Sequence, residues 1–239
     1  MRKLLVMVFT LFITCSLSAE SIFDKFDTKI LDINGRYATI KNSDKIVVGS
    51  SGIVTHKFKD GISTIVARAD VVKKEGDRAT IRFEVFKYAA QSAFPKPGIL
   101  PQVGDRVTLN YLYDRALIVA PNYKVYDEIT KHFKQIEWVH PDLVGAYLAK
   151  EYRPNPDREI FQKVCSLNST GLILFALERN AYFVDCNNFK VVKTLKGGHI
   201  KIAQVPFYTR VKGIESSWLK WGSSQIDDYN SYYRNLIGR

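Results

Sequence analysis

This sequence has few acids for its cations, only three cysteines and no long apolar run. Its 24 Asp and Glu are outnumbered by 35 Lys and Arg, giving a formal net charge of +11. The cations are nevertheless spread along the chain and interleaved with acids, as in Arg78-x-x-x-Arg82-x-Glu84. No block of five or six like charges occurs, so the usual arm or tail that binds nucleic acid is missing. Eight prolines and fourteen glycines exclude collagen-like or low-complexity architecture. The longest apolar run stops well short of the about 20 residues that a membrane-spanning helix needs. Enzyme signatures are missing too: there is no phosphate-binding glycine loop, no Gly-x-Ser-x-Gly elbow and no His-Glu-x-x-His. The four histidines, His56, His132, His140 and His199, show no metal-ligand spacing to one another or to cysteine. No metal and no cofactor is expected. A pocket joining His56 or His199 to carboxylates would bring an enzymatic reading back.

What is present is a 239-residue chain, 46% apolar and 13% aromatic, long enough for one large domain or two of ordinary size. Its N-terminus has three parts: the cations Arg2 and Lys3, the apolar stretch Leu4 to Cys15, and the small-residue exit Ser16-Leu17-Ser18-Ala19. That is the layout of a secretory signal peptide, expected to be cleaved after Ala19. Lipid attachment at Cys15 is disfavoured, because Phe12-Ile13-Thr14 lacks the small residue such processing prefers. Residues 1–19 hold two cations and no acid, so their removal leaves a net charge of +9. Export would place the protein in the periplasm or at the cell surface, away from intracellular nucleic acid. The basic balance then reads as a solvated surface, or as attraction to anionic lipid, cell-wall polymer or an acidic protein.

Cys165 and Cys186, with 20 residues between them, would enter a compartment where thiols oxidise. A disulfide is expected; two buried free thiols are the alternative, and no second pair of soft ligands supports zinc.

From Lys29 to Ala120 the pattern is strand after strand, with turns at Asn34-Gly35, Asp60-Gly61, Lys73 to Asp77, Phe94 to Gly98 and Gly104-Asp105. This predicts a small barrel or sandwich, with Arg106 to Tyr113 and Ala116 to Ala120 as its last strands. Beyond Pro121 the period changes. Helices are expected from Pro121 to Lys134, from Pro141 to Glu151, and from an Asp157 cap to about Val164. A meander covers Gly171 to Leu195, and a last helix starts at a Ser224/Asp227 capping box. The fold class is therefore α+β: a leader (1–19), a β-rich domain (20–120) and an α+β domain (121–239). On the first of these helices, Asp127, Glu128, Lys131, His132 and Lys134 form a mixed polar face that could suit a lysine-binding protein pocket; an ordinary solvated helix face is the alternative.

Several stretches together resemble one family. They are Val48-Gly49 with Ser51-Gly52-Ile53-Val54, Gly104-Asp105, Ala116 to Asn122 with Tyr126 and Ile129, the Cys165/Cys186 pair, and Pro206-Phe207-Tyr208-Thr209-Arg210-Val211-x-Gly213-Ile214. In this order they are similar to the N-terminal domain family of the bacterial plasminogen-binding protein PgbA, over roughly residues 40 to 235. The resemblance implies an exported, non-enzymatic protein that binds host plasminogen. Named members of that family continue into a Lys-, Arg- and Glu-rich tail ending in lysine, whereas this sequence stops at Gly238-Arg239. The planar guanidinium of Arg239 is a poorer match than lysine to a lysine-reading pocket. A second expectation follows: a periplasmic scaffold docking through its β-rich half onto an envelope machine such as the flagellar motor.

Overall fold

The computed structural model describes residues 22–85, 98–214 and 226–239. The expected leader, the loop at Phe94–Pro97 and Ser224 lie outside the described residues. The chain is mixed α+β, with six strands in a closed barrel and five in a second sheet flanked by helices.

The barrel strands are β1 (Phe26–Asn34), β2 (Tyr37–Lys41), β3 (Ser51–Lys57), β4 (Ser63–Glu75), β5 (Arg78–Glu84) and β6 (Arg106–Leu109). All neighbours are antiparallel, in the order β1-β2-β5-β4-β3-β6, and β6 closes the ring by pairing with both β1 and β3. Alternation puts Ile30, Ile40, Val54, Val71, Ile81, Val107 and Leu109 inside, together with Ala38, Ala67, Ala69 and Ala79. The four alanines let so narrow a barrel close, since a small ring has room for only a few large side chains. Each large interior residue contributes about 1.5–3 kcal/mol by leaving water. Gly52 sits where β3 meets β6, and a Cβ there would lie 2.1 Å from the Thr108 carbonyl oxygen. Backbone cannot yield at that distance, which explains the glycine within Ser51-Gly52-Ile53-Val54.

The second sheet contains β7 (Arg115–Val119), β8 (Glu137–Val139), β9 (Leu172–Leu177), β10 (Asn180–Asp185) and β11 (Val191–Lys196), in the order β11-β10-β9-β7-β8. Here the structure corrects the sequence expectation: β7 is not a barrel strand but pairs in parallel with β8 and β9. The chain passes from barrel to sheet between Leu109 and Arg115. The physical reason is burial on both faces. Ala116 to Ala120 is continuously apolar and fully buried, as suits a central parallel strand between two layers, whereas the barrel strands alternate.

The helices are α1 (Tyr123–His132), α2 (Asp142–Glu151), α3 (Arg158–Leu167) and α4 (Tyr229–Ile237). Alternate residues of β7 and β9 face opposite layers. Ala116, Ile118, Leu172 and Leu174 pack with Val125, Tyr126, Ile129 and Phe133 of the α1 segment. Leu117, Val119, Ile173 and Phe175 pack with residues of α2, α3 and α4. Asp157 caps α3 as expected, its Oδ1 accepting from the Ile160 N–H at 2.9 Å. Two expected starts move. α1 starts at Tyr123 rather than at Pro121, and Asn122 caps it by accepting from the Val125 N–H at 3.1 Å. Asp228 caps α4 by accepting from the Ser231 N–H, so that helix begins after the Ser224/Asp227 pair.

Barrel and sheet are joined by a buried polar knot. The Asp185 carboxylate accepts from the Ser51 hydroxyl, from the Tyr113 hydroxyl at 2.8 Å, and from the N–H groups of Asn187 and Asn188 at 2.8 and 2.9 Å. Asn188 Nδ2 donates to the Gly49 carbonyl at 2.9 Å. Gly49 has φ +101°, and a Cβ on it would come within 2.6 Å of the Lys190 side chain. Val48-Gly49 and Ser51-Gly52 therefore serve the junction and the barrel seam.

Candidate functional site

α1 carries the polar face noted in the sequence. Its inner side is held on the sheet by Val125, Tyr126, Ile129 and Phe133, so the 3.6-residue repeat turns Lys124, Glu128, Lys131 and His132 outward, all exposed. Lys131 Nζ donates to Asp127 Oδ2 at 2.7 Å, and Lys124 lies 3.9 Å from Glu128 Oε1. Hydrogen bonding and proximity to Asp127 raise the Lys131 pKa, keeping the ammonium charged. Lys131 and His132 occupy the last turn, where cations complement the helix dipole. Lys134 follows just beyond, exposed. Such exposed ion pairs contribute little to stability and remain free to exchange partners. Sequence reasoning missed the first turn of the same face, where Tyr123 is 59% exposed beside Lys124. The i, i+4 spacing of Lys124, Glu128 and His132 could have found it.

Arg239 does not join this cluster. It follows α4, which packs on the opposite side of the sheet from α1, and its backbone N–H caps Arg234 at 2.8 Å. Cys165 and Cys186 are bonded, with Cα atoms 6.2 Å apart, tying α3 to the end of β10 inside the core.

In open α/β sheets, ligands settle outside the carboxyl ends of parallel strands, where successive helices leave to opposite faces. α1 and α2 do leave β7 and β8 to opposite faces here, but residues 202–211 occupy that crevice. The N–H groups of Gln204 and Tyr208 donate to the carbonyls of Pro121 and Ala120 at 2.6 and 2.7 Å. The Tyr208 ring packs on Tyr123, Tyr126 and His140 at centroid distances of 5.6, 5.4 and 6.5 Å. Asp142 clasps the segment by accepting from the Thr209 hydroxyl and the Arg210 N–H at 2.8 Å each, and from Arg210 Nε at 2.6 Å. The Ala116–Asn122 and Pro206–Ile214 stretches are thus two sides of one contact.

This clasp is acid-sensitive. Burial by itself would raise the Asp142 pKa, but the Arg210 N–H, the Thr209 hydroxyl and the Arg210 guanidinium outweigh it and hold it below 3.8. Burial lowers His140 below 6.5. Both folded values lie below the unfolded ones, so both contributions are present at neutral pH and fade on acidification. His140 begins to lose its share below pH 6.5, and Asp142 below 3.8. Near-ultraviolet circular dichroism of the tyrosine cluster is expected to weaken in two stages as pH falls, with Asp142→Asn removing the lower one. A signal unchanged down to pH 3 would refute the assignment.

The remaining histidines meet carboxylates singly. His56 Nδ1 lies 2.7 Å from Asp105 Oδ1, and His199 Nδ1 lies 2.7 Å from Glu178 Oε1. His56 borders an open groove with Lys57, Phe58, Lys59, Asp60 and Gln102. That lining holds no hydroxyl or thiol to act as a nucleophile. The second oxygen of Asp105 accepts from the Gln102 N–H at 2.8 Å, so the pair fastens the loop before β6 to the β3–β4 hairpin. Among the described residues, no three His, Cys, Asp or Glu side chains gather as metal ligands, and no helix is long and apolar enough to cross a membrane.

Fold and site together define an α+β protein of one barrel and one helix-flanked sheet, with its crevice filled and its charged helix turned outward. Residues 25–237 match the family described as Plasminogen-binding protein pgbA N-terminal, and the chain belongs to that family. It is 26% identical over 194 residues to the plasminogen-binding protein PgbA of Helicobacter pylori strain J99, and 25% identical over 194 residues to that of strain 26695. Each match covers 80% of this chain but 42% of the relative.

Proposed function

We propose that this chain is an exported, non-enzymatic binding protein whose partner is plasminogen, engaged through the outward face of α1. The observation that carries this reading is the family match over residues 25–237, which takes in α1 together with barrel and sheet. The helix supplies suitable chemistry. Lys131 and Lys134 offer ammonium groups on stems that can reach a pocket, and Glu128 and Asp127 offer the carboxylates such a pocket reads beside them. The Cys165–Cys186 bond supports export, because disulfides persist in oxidising compartments. Export would use the leader at residues 1–19.

The test is titration of the protein with plasminogen, with and without excess free lysine analogue. Binding abolished by the analogue is expected, with affinity at least about tenfold weaker in Lys131→Ala/His132→Ala/Lys134→Ala, as for loss of a small charged anchor cluster. Arg239 is a second contact. Because it lies across the sheet from α1, Arg239→Ala is expected to add its own smaller loss independently. Binding insensitive to the analogue, or undiminished in the triple variant, would sink this reading.

A further inference from the structure

One end of the barrel presents apolar side chains to solvent. Phe58 and Ile62 flank the β3–β4 turn and are 36% and 63% exposed; Leu100 and Val103, in the loop before β6, are 82% and 62% exposed. The two loops form one surface, because the His56–Asp105 contact and the Gln102–Asp105 hydrogen bond hold them together, and Gln102 borders the same groove as Phe58. Lys57 and Lys59 alternate with Phe58 on the hairpin and are exposed. Neither has a carboxylate partner among the described residues. Asp60, at the tip of the hairpin, is engaged in accepting from the Ile62 N–H at 3.1 Å.

We propose that this end of the barrel docks on the surface of an anionic phospholipid bilayer. Phe58, Ile62, Leu100 and Val103 enter the headgroup boundary while Lys57 and Lys59 pair with lipid phosphates. Apolar side chains on protruding loop tips, bracketed by lysines, combine the two attractions by which proteins hold to an anionic interface. A second copy of the chain fits less well. Four side chains on two tips fall far below the ~800 Å² per partner of a stable interface, and the lysines of two copies would repel. The surface is on the barrel and α1 is on the sheet, so the proposal does not depend on plasminogen binding.

Sedimentation of the full chain with phosphatidylglycerol vesicles, against phosphatidylcholine vesicles, provides the test. All variants share one N-terminus, so adhesion through its apolar stretch and its two cations, Arg2 and Lys3, is common to them and cancels when variants are compared on the same vesicles. Preferential binding to the anionic vesicles is expected. Lys57→Glu/Lys59→Glu is expected to weaken it by more than about tenfold, since each surface cation contributes roughly fivefold. Ile62→Asp/Leu100→Asp is expected to weaken it comparably, and the charge-matched α1 variant Lys124→Glu/Lys131→Glu by less than about twofold. No preference for anionic vesicles, or equal loss in the α1 variant, would overturn the proposal. So would self-association in the absence of lipid that Ile62→Asp abolishes, which would assign the surface to a second copy.

Discussion

Asp185→Ala is expected to lower the stability of the whole protein by about 4 kcal/mol, with barrel and sheet melting together. The carboxylate is completely buried and accepts four hydrogen bonds, two of them from the buried hydroxyls of Ser51 and Tyr113. Removing it leaves those donors facing apolar surroundings, at about 1–3 kcal/mol for each one not rehydrated. Because Ser51 belongs to the barrel, Tyr113 to the passage between barrel and sheet, and Asp185 to β10 of the second sheet, the loss spreads beyond β10. Denaturant titration should show a lower midpoint with an unchanged slope. A double-mutant cycle with Tyr113→Phe should give a coupling of about 1–3 kcal/mol. An Asp185→Ala protein as stable as the parent would show the knot to be incidental.

The pH dependence of this knot runs opposite to that of the Asp142 clasp. Burial raises the Asp185 pKa, and burial likewise raises that of nearby Asp70 despite its Arg68 partner. A folded value above the unfolded one means that the folded state binds more protons between the two. Stability from this source is therefore full below pH 3.8 and declines as pH rises through the raised value. Mild acid is expected to loosen the 202–211 segment before it touches the junction.

The second large effect is loss of the disulfide. Reduction, or Cys165→Ala/Cys186→Ala, is expected to cost about 3 kcal/mol from loop entropy alone for a closed loop of this length. The double variant also removes two sulfur atoms from a core shared with Phe161 and Phe189, adding a cavity penalty. For a chain of this size that corresponds to a fall of about 10 °C in Tm. Calorimetry with and without reductant decides it, and coincident melting curves would refute the prediction.

Much of the local structure was legible in the residues. Asn34-Gly35 and Asp60-Gly61 join β1 to β2 and β3 to β4, with both glycines at positive φ, because an I′-type or bulged turn needs that conformation. Asp157 caps α3, and the four-residue spacing of Val125, Ile129 and Phe133 marks the inner side of α1. The polar face of α1 follows from the same spacing. Strand partnership was not legible in this way. Arg115–Val119 reads as one more strand-like segment after the six of the barrel, and its transfer to a parallel sheet depends on β8 and β9, which lie some 20 and 55 residues onward. Its unbroken apolar run was the available signal. Asp185 had none: a single aspartate in Val-Asp-Cys-Asn looks like a strand end, and its four donors come from three separate stretches of chain.

The sequence by itself determined the turns, the helical faces, the pairing expected of Cys165 and Cys186, and a basic chain of mixed charge, because these rest on chemistry within a few residues or on counting. Only the tertiary structure decided that the barrel closes through β6, that residues 202–211 fill the crevice, that Arg239 and α1 lie on opposite sides of the sheet, and that the lysines at 57 and 59 share a surface with Leu100 and Val103. Those outcomes depend on which distant segments bury one another's apolar faces and satisfy one another's polar groups, a competition settled only when the whole chain packs.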